Sequence, residues 1–361
     1  MRKTTLLLLT LLLAPMASAE PVRIGVAGLT HTHVHWIFES AKERDDFVIV
    51  GIAEANRDLA ERYAAQHGFS MDLVHPTLEA MLEATSPDGV TAFGTIREHL
   101  EVVEVAAPRG VHVMVEKPLA ISNEHAQAMA TLAREHGIEL LTNYETTWYP
   151  SNHFVHDVLT SGRIGEARKI VVHDGHKGPT KLGINREFLD WLTDSEENGG
   201  GALPDFGCYG ANLATWLLDG RRPRTVTAVT QQFQPENNPK VEDEATVILT
   251  YPSTQVIIQA SWNWPFSRKD IEVYGLTGTV HADDRQRVRL RESEEHPESL
   301  QQLPDRLPPH DDPFSLFAAV IRGEVTLDEA DPSALENNLV VVEILDAARR
   351  SAAEGRTISL D

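Results

Sequence analysis

Short apolar runs alternate with amphipathic stretches through the first 150 residues of the chain. The runs at 22–27 and 47–53 are almost wholly apolar, and a stretch with helical spacing of its apolar residues follows each of them. Strands that alternate with helices at this spacing predict a parallel sheet with right-handed crossovers. The predicted strands are 22–27, 47–53, 89–93, 111–115 and 139–142, and the predicted helices are 33–42, 57–67, 98–107 and 123–136.

The pattern changes after about residue 150. Several later runs alternate polar with apolar residues, as half-exposed antiparallel strands do, and fewer helices separate them. The strands predicted there are 170–173, 225–230, 244–251, 254–262 and 271–274, and the polar stretch 285–312 is predicted to be a loop. A helix is predicted over 333–354, with Ser333 as its N-cap and Gly355 as its stop.

These patterns predict an α/β fold with two domains. The N-terminal parallel sheet is expected over residues 20–148, and an α+β domain with a mostly antiparallel open sheet over 149–330. The C-terminal helix, within 331–361, is expected to pack back on the body of the protein.

The first 19 residues have the organisation of a secretion signal. Arg2 and Lys3 precede an apolar core at 6–13, and Ala17-Ser18-Ala19 has the small residues that precede a cleavage point. The core is too short to span a bilayer comfortably, so an uncleaved anchor is the less favoured alternative. We expect cleavage after Ala19 and export to the periplasm. The signal lacks a twin-arginine pair, which favours export of the unfolded chain.

The composition and net charge limit the kinds of molecule that the protein is expected to bind. The 361 residues are 42% hydrophobic and 24% charged, which is ordinary for a globular protein. The formal net charge of −22 at pH 7 argues against nucleic acid or an anionic membrane surface as the partner. Cys208 is the single cysteine, which excludes an intramolecular disulfide and a multi-cysteine metal site.

The alternation of strands and helices in this half of the chain predicts a doubly wound Rossmann domain. In such a domain a dinucleotide binds at the turn after the first strand. Such loops use three glycines; here Gly28 fills the first position, and Thr30 and His33 fill the other two. Glu54 ends the second strand, where an acidic residue accepts the ribose hydroxyls. Arg57 follows and could meet a 2′-phosphate, so NAD is preferred but NADP stays open. The alternative is a Rossmann-like domain whose nucleotide site has decayed.

The three alternating histidines, His31, His33 and His35, are possible metal ligands. Alternating histidines share a metal when they lie on a strand, but these run into a helix, where positions i and i+2 diverge. No nearby carboxylate or cysteine completes a ligand set. We therefore predict no metal site and expect one of the histidines to contact the ligand.

Two motifs together indicate a family. Glu116-Lys117-Pro118 follows a predicted strand, and the glycine-rich stretch 198–210 leads into a helix that carries Asp205 and Tyr209. Each motif alone is unspecific. At this separation they resemble the Glu-Lys-Pro signature and the Asp and His/Tyr helix of the glucose–fructose oxidoreductase, inositol dehydrogenase and MocA (Gfo/Idh/MocA) family. The order of elements agrees with that family from residue 22 to the C-terminal helix.

The resemblance implies a Rossmann domain, an α/β domain whose open sheet carries the substrate and often the oligomer contact, and a frequent cis bond before Pro118. Lys117 corresponds to the lysine that contacts the nicotinamide ribose and the reacting hydroxyl. His99 matches a frequent histidine, whereas Thr95 stands where many members carry proline. The residues expected to bind NAD or NADP are Gly28, Leu29, Thr30, His31, Glu54, Thr95, His99, Glu116, Lys117 and Asn143.

The expected catalytic residues are Lys117, Asp205 and Tyr209. Hydride loss from an alcohol carbon requires the hydroxyl proton to leave; a lysine ammonium stabilises the developing alkoxide, and a tyrosine can relay the proton. Asp205 and Tyr209 are four residues apart on a helix and therefore share one face. The structural alternatives are a surface lysine, an N-cap aspartate after Pro204 and a half-buried core tyrosine.

Three further side chains are candidates for substrate contact. Trp148 and Trp191 could offer flat faces to a sugar, although tryptophan is more often part of the core. His176 follows a strand that faces the same cleft, and a solvated loop is the alternative for it. Glu145 stands where many family members carry a basic residue.

Three functions remain open. The first is an NAD(P)-dependent oxidoreductase that acts on a hydroxyl of a sugar, glycoside or cyclitol, with a homo-oligomer as its assembly. The second is a redox-neutral glycoside-cleaving enzyme of the same fold, whose bound NAD takes a hydride and returns it. Export favours the second because free NAD is scarce outside the cytoplasm. The third is a cofactor-free hydrolase or sugar-binding protein on an inherited Rossmann scaffold.

Overall fold

A computed structural model describes residues 20–360, so the predicted signal at residues 1–19 lies outside the described part of the chain. The described strands form two sheets, one of six strands and one of nine. Among residues 20–360, no helix combines the length and the apolarity needed to cross a bilayer. The predicted α/β class, with a parallel sheet followed by a mostly antiparallel one, is confirmed.

Six parallel strands with helices between them make up the first domain. The strands are β1 (Val22–Ala27), β2 (Phe47–Ala53), β3 (Val74–His75), β4 (Gly89–Ala92), β5 (His112–Glu116) and β6 (Leu140–Asn143), and the helices are α1 (Val34–Glu43), α2 (Arg57–His67), α3 (Leu78–Thr85), α4 (Glu98–Ala106) and α5 (Asn123–His136). The order β3-β2-β1-β4-β5-β6 is the doubly wound order of dinucleotide-binding folds. Because all six strands are parallel, their carboxyl ends meet at one edge of the sheet.

Nine strands form the sheet of the second domain. They are β7 (Ala167–Gly175), β8 (Thr225–Gln231), β9 (Glu244–Thr250), β10 (Gln255–Ser261), β11 (Arg268–Gly275), β12 (Thr279–Ala282), β13 (Arg287–Arg291), β14 (Ser299–Gln302) and β15 (Ile358–Ser359), with the helices α6 (Pro150–Thr160), α7 (Pro179–Leu182), α8 (Arg186–Leu192), α9 (Ser195–Asn198) and α10 (Ala202–Leu217). They pair in the order β14-β13-β12-β11-β7-β10-β9-β8-β15, and β7 with β10 is the parallel pair.

Helix α10 is the central helix of the second domain. All of its residues are buried, and it packs on β7 and β10. Gly210 allows this close approach, because a Cβ atom at that position would lie 2.5 Å from Cγ2 of Ile258. This packing brings the first turns of α10, with Asp205 and Tyr209, towards the carboxyl edge of the first sheet.

Two C-terminal helices, α11 (Pro313–Ile321) and α12 (Leu335–Glu354), return to the first domain. Phe314 and Phe317 of α11 pack with residues of β1 and β2 in the core of the first sheet. Leu339 and Val342 of α12 join a second cluster of that core, and α12 also packs on α10 and β8. Helix α11 therefore packs on the first sheet, although its residues lie in the range 149–330 that the sequence assigns to the second domain.

The stretch 285–312, expected to be a loop, contains two strands, so that expectation is wrong. Strands β13 and β14 extend the second sheet at its edge. In β13 the buried Val288 and Leu290 alternate with three arginines that are exposed or half-exposed. A period of two is typical of a strand with one face in the core and the other towards solvent.

The C-terminal helix begins two residues later than predicted, and Ser333 is not its N-cap. The N–H of Ser333 donates to the Asp331 carboxylate, and its carbonyl accepts the N–H of Thr142. These two bonds hold Ser333 in the turn before the helix, and Ala334 takes the N-cap position. The predicted stop is confirmed, because Gly355 adopts the left-handed conformation with φ at +63°.

Candidate active site

A cavity of about 450 Å³ lies between the carboxyl edge of the first sheet and the second domain. Its walls come from both domains. The first domain contributes His31, His33, Lys117 and Glu145, and the second contributes Tyr149, His176, Asp205, Phe206, Tyr209 and Lys269, among others. The three residues predicted to be catalytic therefore line one cavity.

Lys117 and Asp205 form a buried ion pair across the two domains. The Lys117 Nζ atom donates to Oδ1 of Asp205 at 2.5 Å and to its carbonyl oxygen at 3.0 Å. The indole N–H of Trp262 donates to Oδ2 of Asp205 at 2.9 Å, which fixes the carboxylate from its other side. The peptide bond between Lys117 and Pro118 is cis, as the family resemblance implies. The two oxygens of the Asp205 carboxylate are therefore each held by a hydrogen bond, one from Lys117 and one from Trp262.

Both members of this pair are charged at neutral pH. Burial alone would lower the pKa of Lys117, but the Asp205 carboxylate raises it above its ordinary value. Burial alone would raise the pKa of Asp205, but the Lys117 ammonium holds it below its ordinary value. A buried charge is tolerated when a partner of opposite charge is hydrogen-bonded to it, and each residue supplies that partner for the other.

Tyr209 lies one helical turn after Asp205 and faces the same cavity. Lys117 Nζ lies 5.2 Å from the centre of its ring, and Lys269 Nζ lies 4.3 Å from it. Burial raises the pKa of the Tyr209 hydroxyl well above its ordinary value, so the side chain is a neutral phenol. It is placed to donate a proton next to the lysine.

Lys269 of β11 is not among the residues predicted from the sequence, and it pairs with Glu145. The Tyr149 hydroxyl also donates to Glu145, at 2.5 Å. Burial alone would raise the pKa of Glu145, but the Lys269 ammonium lowers it to about 2. The sequence offered one indication of this pair, because Glu145 is acidic where the family resemblance implies a basic residue. That difference suggests a basic partner, but it does not indicate that the partner lies 124 residues further along the chain.

The expectation that no carboxylate lies near the clustered histidines is wrong. The Nδ1 atom of His33 lies 2.9 Å from Oε2 of Glu116, and the Nδ1 atom of His31 accepts the backbone N–H of His33 at 3.1 Å. Glu116 ends β5, while the histidines follow β1, and both strands end at the same edge. His35 points elsewhere, since its Nδ1 atom lies 2.7 Å from Nε2 of His67.

Asn143, predicted to contact the cofactor, orients Glu116. Its amide donates to Oε1 of Glu116 at 2.8 Å, and its own oxygen accepts the indole N–H of Trp148 at 3.0 Å. Burial alone would raise the pKa of Glu116, but the rings of His33 and His31 and these hydrogen bonds lower it to about 2. Glu116 is therefore a carboxylate held in one orientation.

A second cavity, of about 370 Å³, lies at the carboxyl ends of β1, β2 and β4, where a dinucleotide is expected. Gly28, Thr30, Glu54 and His99 line it. Gly28 has φ at +79°, and a Cβ atom there would lie 2.8 Å from the backbone nitrogen of Gly94. The glycine thus permits a turn that a side chain would obstruct.

Polar groups in this second cavity are suited to a nucleotide. The Glu54 carboxylate accepts the N–H of Leu29 at 3.0 Å, which holds it at the end of β2. Among the described residues, Thr30 Oγ1 and His99 Nε2 are buried and make no hydrogen bond. Buried polar atoms are normally paired, so ligand atoms are the expected partners. The residues therefore fit the adenosine half of a dinucleotide.

Four other sequence candidates have different surroundings. Thr95 donates its hydroxyl to Glu197 at 3.0 Å and lines neither cavity. Trp148 is buried in the core of the first domain, and its indole N–H donates to Asn143. Trp191 is buried behind the cavity, where its ring lies 4.9 Å from that of Phe188. His176 does line the active-site cavity, with its ring 4.7 Å from that of Phe206.

Comparison with known proteins gives matches over both domains. A model of the "Oxidoreductase family, NAD-binding Rossmann fold" matches residues 22–144, and one of the "GFO/IDH/MocA C-terminal domain" matches residues 153–281. The dTDP-3,4-didehydro-2,6-dideoxy-alpha-D-glucose 3-reductase of Streptomyces antibioticus is 27% identical over 262 residues, which cover 73% of this chain and 75% of the relative. The trans-1,2-dihydrobenzene-1,2-diol dehydrogenase of Xenopus tropicalis is 27% identical over 221 residues, or 60% and 61% of the two chains.

The fold is shared with solved structures at lower identity. The inositol dehydrogenase homologue from Azotobacter vinelandii, in complex with NAD+, superposes with a TM-score of 0.82 at 19% identity and covers 94% of this chain and 98% of its own. The aldose-aldose oxidoreductase from Caulobacter crescentus superposes with a TM-score of 0.80 at 21% identity, over 94% and 100% of the two chains. Both structures share the two-domain architecture described above.

Proposed function

The chain belongs to the Gfo/Idh/MocA family of oxidoreductases, and from this we propose that it transfers a hydride between NAD and a ring carbon of a carbohydrate or cyclitol. The observation that carries the proposal is the Lys117–Asp205 pair beside Tyr209 in one cavity. The relatives support the substrate class, since their names specify a dTDP-linked deoxy sugar and a dihydrobenzenediol.

The chemistry of the proposed reaction follows from the protonation states of the site. When bound, NAD supplies the carbon that gives or takes the hydride. The Lys117 ammonium would bind the substrate oxygen and stabilise negative charge on it, while Asp205 keeps the ammonium charged and oriented. Tyr209 is a neutral phenol and can deliver a proton to that oxygen. Both groups carry protons at neutral pH, which is the state needed when a carbonyl is reduced; in the reverse reaction Tyr209 would have to pass its proton on before accepting one from the hydroxyl.

NAD rather than NADP is the proposed cofactor. Gly28, Thr30, Glu54 and His99 would hold its adenosine half in the second cavity. The Glu54 carboxylate is a hydrogen-bond acceptor for ribose hydroxyls and would repel a 2′-phosphate. Arg57, the residue that could have balanced that phosphate, is exposed and paired with Glu61 at 2.9 Å.

Export to the periplasm is proposed on the leader sequence at residues 1–19, which lies outside the described residues. The test begins there: the full chain is expressed in a bacterial host and purified from the periplasm, and N-terminal sequencing is expected to begin at Glu20. The purified protein is then denatured, and the released nucleotide is identified by mass. We expect NAD(H) in the denatured sample, or binding of added NAD in a thermal-shift titration.

Activity is then followed by NADH absorbance with a panel of sugars, cyclitols and their keto derivatives. Lys117→Met should lower kcat by about 10²- to 10⁴-fold. Lys177→Met, which changes an exposed lysine near the cavity, is the matched control and should retain activity. A protein that holds no nucleotide and binds none would contradict the proposal. Cleavage of a glycoside without net NADH change would instead support the redox-neutral hydrolase.

A further inference from the structure

We propose that His31, His33 and Glu116 form a site for one divalent transition-metal ion on the wall of the active-site cavity. One ligand-capable atom from each residue lies within 4.8 Å of the other two. The side chains of His31 and His33 line the cavity, so a bound ion would face the space where substrate is expected. The proposal goes beyond the hydride transfer, and it uses His31 and Glu116, which the sequence also assigns to the cofactor.

The donor set selects the class of ion. Two imidazoles and one carboxylate bind zinc, iron, cobalt or nickel, whereas magnesium and calcium prefer sites made of oxygen atoms. Three protein ligands leave at least one coordination position open, as in catalytic zinc sites. The open position would face the cavity and take water or a substrate oxygen.

The geometry needs a small adjustment to bind the ion. Ligands at ~2.1 Å from a tetrahedral metal lie about 3.4 Å apart. The His33 Nδ1 and Glu116 Oε2 atoms are 2.9 Å apart and hydrogen-bonded, so a bound ion would replace that bond with a separation a few tenths of an ångström larger. It would likewise replace the bond that His31 Nδ1 accepts from the His33 N–H.

The surrounding residues hold the three ligands in place. The Asn143 amide donates to Oε1 of Glu116, which leaves Oε2 directed at the histidines. The His33 ring stacks on Trp36 at 3.8 Å, and the His31 ring lies 4.5 Å from that of Phe188. Such outer contacts fix the orientation of metal ligands and raise metal affinity.

The charges around Glu116 favour a cation. Glu116 is 1% exposed, and the ammonium of the adjacent Lys117 is paired with Asp205 instead. A buried carboxylate with no permanent counter-charge is costly, and a divalent cation would supply that charge. The oxidised nicotinamide ring is the other cation that could face it, so the test is made without nucleotide.

The experiment measures metal binding directly. The intact mature protein is freed of metal with a chelator, dialysed and titrated with Zn²⁺ by calorimetry and with Co²⁺ by visible absorbance. We expect one ion per chain and a cobalt spectrum typical of nitrogen and oxygen ligands. His33→Gln and Glu116→Gln should each weaken binding at least 10-fold.

His35→Gln is the matched control, because His35 belongs to the same motif but bonds to His67. It should leave the metal affinity unchanged, and circular dichroism checks that every variant is folded. The proposal is overturned if the wild-type protein binds no ion, or if His35→Gln weakens binding as much as His33→Gln does. The readout requires neither substrate nor cofactor, so a failure of the proposed oxidoreductase activity would leave this result standing.

Discussion

Two lysine–carboxylate pairs join the domains at the active site. Lys117 and Glu145 come from the first domain, and their partners Asp205 and Lys269 come from the second. All four side chains line the cavity, but Lys117 and Asp205 are each 7% exposed, whereas Lys269 and Glu145 are 19% and 34% exposed. Removing one member of the buried Lys117–Asp205 pair costs about 3 to 5 kcal/mol of stability, because the other charge stays buried without a partner.

The pair of Glu145 with Lys269 makes stability depend on pH. The pKa of Glu145 is about 2 in the folded protein, against an ordinary value of 4.5. A lowered pKa stabilises the fold above the unfolded-state value, and this stabilisation is lost as the pH falls from about 4.5 towards 2. Because the Glu145 side chain is 34% exposed, solvent screens part of this stabilisation, and we expect a loss of about 1 kcal/mol between pH 7 and pH 3.

Glu145→Gln removes this dependence. Denaturant unfolding of the wild type and the variant at pH 7 and pH 3 should show a stability gap that is smaller at pH 3 by that amount. Glu295→Gln, which changes an exposed loop residue, should have no such effect at either pH. A gap that is equal at both pH values would contradict the assigned role of the pair.

The motifs located the three residues that are expected to be catalytic, but not the residues that pair with them. Lys117, Asp205 and Tyr209 were located in the sequence because short signatures surround them, and they line one cavity. The Lys269–Glu145 and His33–Glu116 contacts join residues that are 124 and 83 positions apart. Such pairs depend on how two sheets face each other and how strands are ordered within a sheet, and local patterns do not encode this.

The loop between β1 and α1 depends on a single glycine. Gly28→Ala would place a residue with a side chain in a left-handed conformation, which costs about 1 to 2 kcal/mol. It would also press a Cβ atom against the backbone of Gly94. We expect a lower melting temperature and weaker NAD binding, measured by calorimetry.

Gly68→Ala separates the cost of the left-handed conformation from the steric contact of the added Cβ atom. Gly68 ends α2 with φ at +83°, and a Cβ atom there would meet nothing within 4 Å. This variant should show the conformational cost alone and bind NAD like the wild type. Equal loss of nucleotide affinity in both variants would show that the close approach at Gly28 is unimportant.

The elements were easier to predict in the first domain than in the second. The bounds predicted for β1, β2, α2 and α5 agree with the structure, because continuous apolar runs and helix caps mark them. The short strands β13 and β14 were missed because β13 is mostly arginine and β14 has no buried residue. So few buried positions give too short an alternation to distinguish a strand from a polar loop.

One face of the second sheet has no helix packed over it among the described residues. Helices α6, α10 and α12 pack on the face that contains Val172 and Ile258. On the opposite face Val171, Ile257 and Ile248 are adjacent in register across three strands and only half-buried. Contiguous apolar surface of this kind is typical of a protein–protein interface, and we propose that it forms a homo-oligomer.

Ile257→Lys tests this interface by placing a charge in the centre of the apolar row. Light scattering after size-exclusion chromatography should give an oligomer for the wild type and a smaller species for the variant. Leu307→Lys is the control, because Leu307 is 80% exposed and lies outside the strands. A monomeric wild type would refute the proposed assembly.

The return of α11 and α12 to the first domain has a consequence for synthesis. Ribosomes make the chain from its N-terminus, so residues 22–143 emerge long before Phe314, Phe317, Leu339 and Val342 are available. Until then the core of the first sheet lacks these apolar side chains. We therefore expect the nascent chain to stay incompletely packed for most of its synthesis, which is compatible with the export of an unfolded chain proposed above.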